Sequence, residues 1–232
     1  MLNRPFIMKR IFYLSLLLLF TNLSFGQSTL DLIEIEKLTN DSTSDYFYPR
    51  LISDFNNQPQ YFESVKAKFL YYGKLYTKSY KMFQFSTDEV EFNKLLSKGK
   101  YKKATLIGKK ILQENPANIE ILSKLNLCYK KTGLTQNADT TLNKLTLLLN
   151  TIFQSGTGKE KENAFKVVAI GDEYTIMAWL GVSVVSRQSL MKDGSTIDSF
   201  KVKDSKSGKK YEMHFEWLVN AVQGTKNMKW PE

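Results

Sequence analysis

The sequence predicts an α+β chain: an N-terminal tetratricopeptide-like helical part, then a small, largely antiparallel sheet carrying one helix. Three observations predict it. The middle of the chain repeats at an offset of 34 residues, apolar segments of strand length begin only after Phe153, and the last of them alternates apolar and polar residues. Helices first and strands second is the α+β order. Of 232 residues 42% are apolar and 24% charged, which is globular and neither disordered nor collagen-like.

At the N-terminus, Lys9 and Arg10 precede an apolar run from Ile11 to Phe20, and Ser24-Phe25-Gly26 places small residues where a signal peptidase reads. Residues 1–26 are expected to be a signal peptide cleaved near Gly26-Gln27, with translation starting at Met1 or Met8. An apolar run of that length falls short of the roughly 20 residues that span a bilayer, so no stable membrane span is expected after cleavage. No cysteine stands at the cleavage point to take a lipid. The exported chain would reach the periplasm or the extracellular space. Cleavage takes Arg4, Lys9 and Arg10 from the 33 basic residues, leaving 30 against 23 acids, a net charge of +7. One histidine, His214, and one cysteine, Cys128, exclude a zinc finger, a multi-histidine metal site and an intrachain disulfide. No metal site or cofactor is expected. Cys128 lies in the apolar stretch 125–129 and reads as a buried thiol.

Residues 27–153 form the predicted helical region. A helix from about Leu30 to Leu38 precedes the polar break Thr39 to Ser44, and shorter helices follow, separated near Pro59 and Gly73. Aromatics crowd this segment, including Tyr46, Tyr48, Phe55, Phe69, Tyr71, Tyr72, Tyr76, Tyr80, Phe83 and Phe85. Such tyrosines serve as a ligand platform or, more commonly, pack a helical core with hydroxyls at its rim. The repeat follows: Gly99 aligns with Gly133, Ala104 with Ala138, and Ile111 with Leu145. Glycine suits the turn between two antiparallel helices, and alanine suits their closest crossing. Helices are predicted at about 88–97, 101–114, 118–131 and 135–153, Pro116 ending the first unit. Only two units are visible, so a pair of ordinary helical hairpins is the alternative. Either way, so short an array needs something to pack on.

Residues 154–220 form the predicted β region and 221–232 a tail. Ser155-Gly156-Thr157-Gly158-Lys159 is a turn, and Phe165 to Ile170 an apolar strand. A short helix follows, with Asp172 as its N-cap and Gly181 just past its end. Strands are expected over Val182 to Leu190, 196–203 and 209–218, with turns at Lys192-Asp193-Gly194 and at 204–208. In the last strand Tyr211, Met213, Phe215 and Trp217 would face the core, with Glu212, His214 and Glu216 on the wet face.

The stretches Tyr46-Phe47-Tyr48-Pro49-Arg50-Leu51, Leu70-Tyr71-Tyr72-Gly73, 116–122, Ser155-Gly156-Thr157-Gly158 and Asp172-Glu173-Tyr174 occur in one order. Together they resemble an uncharacterised family of exported Bacteroidota proteins, a domain of unknown function, over roughly residues 30 to 219. The resemblance implies a signal peptide, tetratricopeptide-like helices and a C-terminal β region, and brings no activity. Many relatives carry an acid where this chain has Thr157, which argues further against a metal or phosphate role for that turn.

Chemistry has few candidates. The glycine turn is no Walker motif, since Glu160 and Phe153 stand where Ser or Thr and the first glycine belong. His214, flanked by Glu212 and Glu216, would be a general base, and Asp172 with Glu173 an acid pair, although strand alternation and helix capping also explain them. Charge is more suggestive. Between Glu91 and Lys131 ten lysines face three glutamates. Lys94, Lys98, Lys124, Lys130 and Lys131 fall on the first helices of the two units, which in such arrays line a groove suited to an acidic peptide or another envelope protein. The leading expectation is an exported interaction or scaffold module rather than an enzyme. The alternatives are a hydrolase or glycan- or peptide-binding protein with Asp172, Glu173 and His214 in a cleft between the two parts, and a purely structural envelope component. No motif supports a nucleic-acid partner.

Overall fold

The computed structural model describes residues 30–78, 80, 86–192 and 195–218, Lys192 by its backbone alone. The expected signal peptide, the tail at 221–232, Phe83 and Phe85, and the turn residues Asp193 and Gly194 lie outside the described residues. The fold is α+β: eight α-helices among the described residues and a four-stranded mixed sheet.

The aromatic segment folds as α1 (Leu32–Asn40), α2 (Tyr48–Asn57) and α3 (Ser64–Gly73). Asp31 caps α1, its carboxylate accepting from the amides of Ile33 and Glu34 at 3.0 and 2.9 Å. Pro49 stands in the first turn of α2, where its missing N–H costs nothing. Leu51, Phe55, Leu70, Tyr71 and Tyr72 are buried. The tyrosines therefore pack a core, and their hydroxyls reach across it to the β region, as described below.

Two helical pairs follow: α4 (Thr87–Ser97) with α5 (Tyr101–Glu114), and α6 (Ile119–Lys131) with α7 (Thr135–Phe153). Ser86 and Glu89 form a reciprocal capping box on α4. Gly99 and Gly133 end the first helix of each pair at φ +66° and +74°, a left-handed conformation that glycine adopts without strain. Ala104 and Ala138 are buried at the crossings. At Gly108 a Cβ would lie 2.8 Å from Phe92 Cε2 and 3.2 Å from Leu125 Cδ1, so α4, α5 and α6 meet there more closely than a side chain permits. One small core fills this junction, including Phe92, Leu125 and Cys128, whose thiol is buried.

The sheet comprises β1 (Phe165–Val167), β2 (Val182–Lys192), β3 (Ser195–Asp204) and β4 (Lys210–Trp217), in the order β1-β4-β3-β2. β1 runs parallel to β4, and the other two pairings are antiparallel. α8 (Ile170–Trp179) packs on one face. The larger core is continuous across residues 153–154: Leu145, Leu148, Leu149 and Ile152 of α7 join α1–α3 to Phe165, Phe200, Phe215 and Trp217 of the sheet.

Four expectations are corrected. The strand at Phe165 stops at Val167 instead of Ile170, because tyrosine hydroxyls take the next backbone groups: Tyr80 donates to Val168 O at 2.6 Å, and Tyr71 accepts from Val168 N at 3.4 Å. The N-cap position of α8 is Ala169, and Asp172 lies inside the first turn. His214 is only 4% exposed, not wet, because residues 158–163 fold across that end of β4 and Gly158 O accepts from His214 N at 2.9 Å. Tyr211, expected inside, is 39% exposed.

Candidate functional site

A groove of about 740 Å³ lies between α2 and the layer formed by α5, α6 and α7. Its floor is apolar, from Leu112, Pro116, Leu122, Leu125 and Tyr129. Its walls are amides and hydroxyls: Ser53, Asn56 and Asn57 of α2, Gln113 of α5, and Gln136, Asn137, Thr140 and Thr141 of α7. The arrangement follows from sequence: α7 opens Thr-Gln-Asn and continues with Thr140 and Thr141 on the same side, so its first turns are polar while Ala138 and Leu145 face inward. Among the described residues Lys109 and Lys144 are the charged lining residues, and no carboxylate lines the groove. Neither lysine has an ion pair among the described residues. Lys144 Nζ lies 5.0 Å from the Phe55 ring centroid, and burial pushes its pKa below the usual lysine range. The side-chain amides of Asn56, Gln113, Gln136 and Asn137 make no hydrogen bond among the described residues. Among the described residues the groove thus offers amide donors and acceptors along its walls and two lysines without counter-ions.

The five lysines singled out from the sequence do not line this groove. Lys94 and Lys98 are exposed on and just after α4, Lys94 lying 3.6 Å from Glu91. Lys130 and Lys131 are exposed in the last turn of α6. Lys124 is engaged within the protein, donating to Asn93 Oδ1 at 2.8 Å and pairing with Glu120. The sequence pattern missed Lys109 and Lys144 because each sits on the second helix of its pair, which the repeat logic assigns to the outer surface.

Asp172, Glu173 and His214 go to three places. Asp172 is buried and accepts the Tyr71 hydroxyl at 2.6 Å. Burial pushes its pKa up to about 6, opposed by the Lys74 ammonium and the Tyr71 hydrogen bond. Glu173 is fully buried toward the sheet, with Arg187 Nη2 at 3.9 Å and no hydrogen bond to either carboxyl oxygen among the described residues. Its neighbour Asp198 takes both the Arg187 guanidinium and the Ser189 hydroxyl. Burial, and then the Asp198 charge, push Glu173 up to about 9, so it is protonated at neutral pH. His214 lies on the opposite face of the sheet, since the ladder aligns Asp198 with Phe215 and Ser199 with His214. There its Nδ1 meets Ser199 Oγ at 2.9 Å, and its Nε2 is 3.7 Å from Glu212. Burial lowers its pKa.

Sequence reasoning missed Ser199, because only the cross-strand register brings it to His214. The pair resembles an activated serine, but β3 and β4 are both interior strands. Their backbone amides point at neighbouring strands, leaving none to stabilise an oxyanion above Ser199. The expected cleft joining Asp172, Glu173 and His214 is therefore not formed. The glycine turn is likewise occupied: the amides of Thr157 and Gly158 both donate to Asn163 O at 2.9 Å, leaving neither for a phosphate. Among the described residues no group of three or more His, Cys, Asp or Glu could hold a metal, and no helix is long and apolar enough to cross a membrane.

Residues 33–217 match a family described as a domain of unknown function, DUF4919. No curated protein and no solved structure matches the chain.

Proposed function

The chain belongs to the DUF4919 family, which carries no assigned activity, and from that premise we propose that it is an exported binding module whose groove takes an extended acidic segment of a partner protein. One observation carries the reading. Among the described residues the groove holds two lysines without counter-ions, no acid, and unengaged carboxamides on both walls. An extended peptide presents a backbone donor and acceptor at every residue, which asparagine and glutamine satisfy together. Acidic side chains on that peptide supply the charge that Lys109 and Lys144 lack. The 34-residue repetition of α4–α5 in α6–α7 supports a tetratricopeptide-like interaction role, with α1–α3 and the sheet bracing an array too short to stand alone. The N-terminal basic residues and apolar run support export, and hence a partner in the cell envelope.

The test is a fluorescence titration of the purified protein with labelled glutamate-rich and lysine-rich peptides at low and high salt. The acidic peptide is expected to bind, and Lys109→Glu with Lys144→Glu to weaken it by about tenfold or more, since hydrogen bonds to charged groups contribute about 1.5–3 kcal/mol. Lys94→Glu with Lys98→Glu changes charge equally outside the groove and is expected to leave most of the affinity. Equal loss from both pairs would reduce the binding to nonspecific attraction and overturn the assignment.

A further inference from the structure

Lysines crowd one end of the helical array. Gly99 ends α4 and Gly133 ends α6, and the turns they make lie at the same end, because Leu95 of α4, Ala104 of α5, Cys128 of α6 and Ala138 of α7 pack in one small core beneath them. Lys98 and Lys100 flank the first turn, Lys102 and Lys103 open α5, and Lys130 and Lys131 close α6. All six are exposed, and none makes an ion pair among the described residues. No acidic residue occurs in 92–113 or in 121–138 to compensate them.

The helices themselves do not call for this charge. Lys130 and Lys131 suit the negative end of the α6 dipole. Lys102 and Lys103 do not: they stand in the first turn of α5, which holds no acid and where the dipole disfavours each cation by about 0.3–1 kcal/mol. Like charges gathered against the local field repel one another in the folded chain, and an external anion relieves that repulsion.

Three features indicate which anion. The six cations sit across the end of the array and none of them lines the groove, so a broad surface meets them together where an extended peptide meets one or two. All are lysines, point charges suited to a diffuse negative surface, whereas planar recognition of single carboxylates uses arginine forks. Apolar side chains stand among them: Leu134, directly after the second turn, is 46% exposed, and Leu127, one helical turn before Lys130 and Lys131, is 41% exposed. Cations around exposed leucine match the headgroup layer and outer acyl region of an anionic bilayer. We propose that this end of the helical array is a docking surface for an anionic lipid membrane, the lysines reaching phosphate headgroups and Leu134 entering between them. The contact is peripheral, and it uses none of the residues that line the groove.

The test is co-sedimentation of the purified protein with vesicles of phosphatidylcholine, alone or mixed with phosphatidylglycerol, at low and high salt. The readout is the preference for anionic over neutral vesicles, to which the apolar run Ile11 to Phe20 contributes equally in every variant. The parent is expected to prefer anionic vesicles by about tenfold or more at low salt and less at high salt. Lys98→Glu with Lys131→Glu is expected to reduce the preference about tenfold or more, since each lysine near such a surface contributes about 1 kcal/mol. Lys201→Glu with Lys210→Glu makes the same charge change at exposed positions of β3 and β4 and is expected to leave most of it. Leu134→Trp is expected to shift tryptophan emission to the blue with anionic vesicles only. Each variant is checked for folding by circular dichroism. Equal binding to both vesicle types, equal loss from the two lysine pairs, or Leu134→Trp emission indifferent to anionic vesicles would overturn the proposal. Binding of a soluble glutamate-rich peptide that depends on Lys98 and Lys131, without binding of vesicles, would assign this end to an acidic protein instead and equally overturn it.

Discussion

Glu173 is an acidic residue buried at the centre of the fold. It is fully buried, its carboxyl oxygens have no hydrogen-bond partner among the described residues, and Asp198 beside it already holds the Arg187 guanidinium. Two carboxylates in one apolar site cannot both ionise cheaply, so one keeps its proton. Because Glu173 is raised from 4.5 to about 9, the folded state holds a proton that the unfolded chain has released. Its contribution is fully present below pH 4.5 and is lost as pH rises through 9. Asp172, raised from 3.8 to about 6, acts in the same direction at lower pH. The melting temperature is therefore expected to fall from pH 5 to pH 9, and Glu173→Gln, which keeps the shape and loses the titration, is expected to flatten that fall above pH 6. A variant that melts with the parent's pH slope would show that Glu173 ionises normally.

At the level of elements, the close crossing of α4, α5 and α6 rests on Gly108. A Cβ there would lie 2.8 Å from the rigid Phe92 ring, so Gly108→Ala forces the ring or the helix axis to shift. Alanine is otherwise the better helix former by about 1 kcal/mol, so the sign of the change is informative. A net loss of about 1–3 kcal/mol by denaturant titration is expected, and a gain would mean that the crossing relaxes freely. Helices of this kind were largely legible in the sequence. The limits of α5 and α7 follow from Gly99, Pro116 and Gly133, local signals that no tertiary contact overrides. The strands at 182–192, 195–204 and 210–217 were legible for the same reason. Long-range contacts were not. Nothing in residues 165–172 reveals that hydroxyls from Tyr71 and Tyr80, roughly a hundred positions earlier, end β1 and draw Asp172 away from a capping role. Nor does alternation in β4 foretell that a loop folds across His214. The groove was the least legible feature, since its walls come from α2, α5 and α7, and α2 carries no part of the repeat.

In the whole molecule, the helical and β regions share one core, so the sheet acts as a brace for the helices rather than as a detachable unit. The most direct test of the groove assignment is photo-cross-linking in producing cells, with a photoreactive residue at Asn137 in the groove wall or at Lys98 outside it. The account expects a cross-linked partner from position 137, lost when Lys109 and Lys144 are changed to glutamate, and none from position 98. A partner captured from position 98 alone would contradict it and return the binding face to the exposed lysines of α4 and α6.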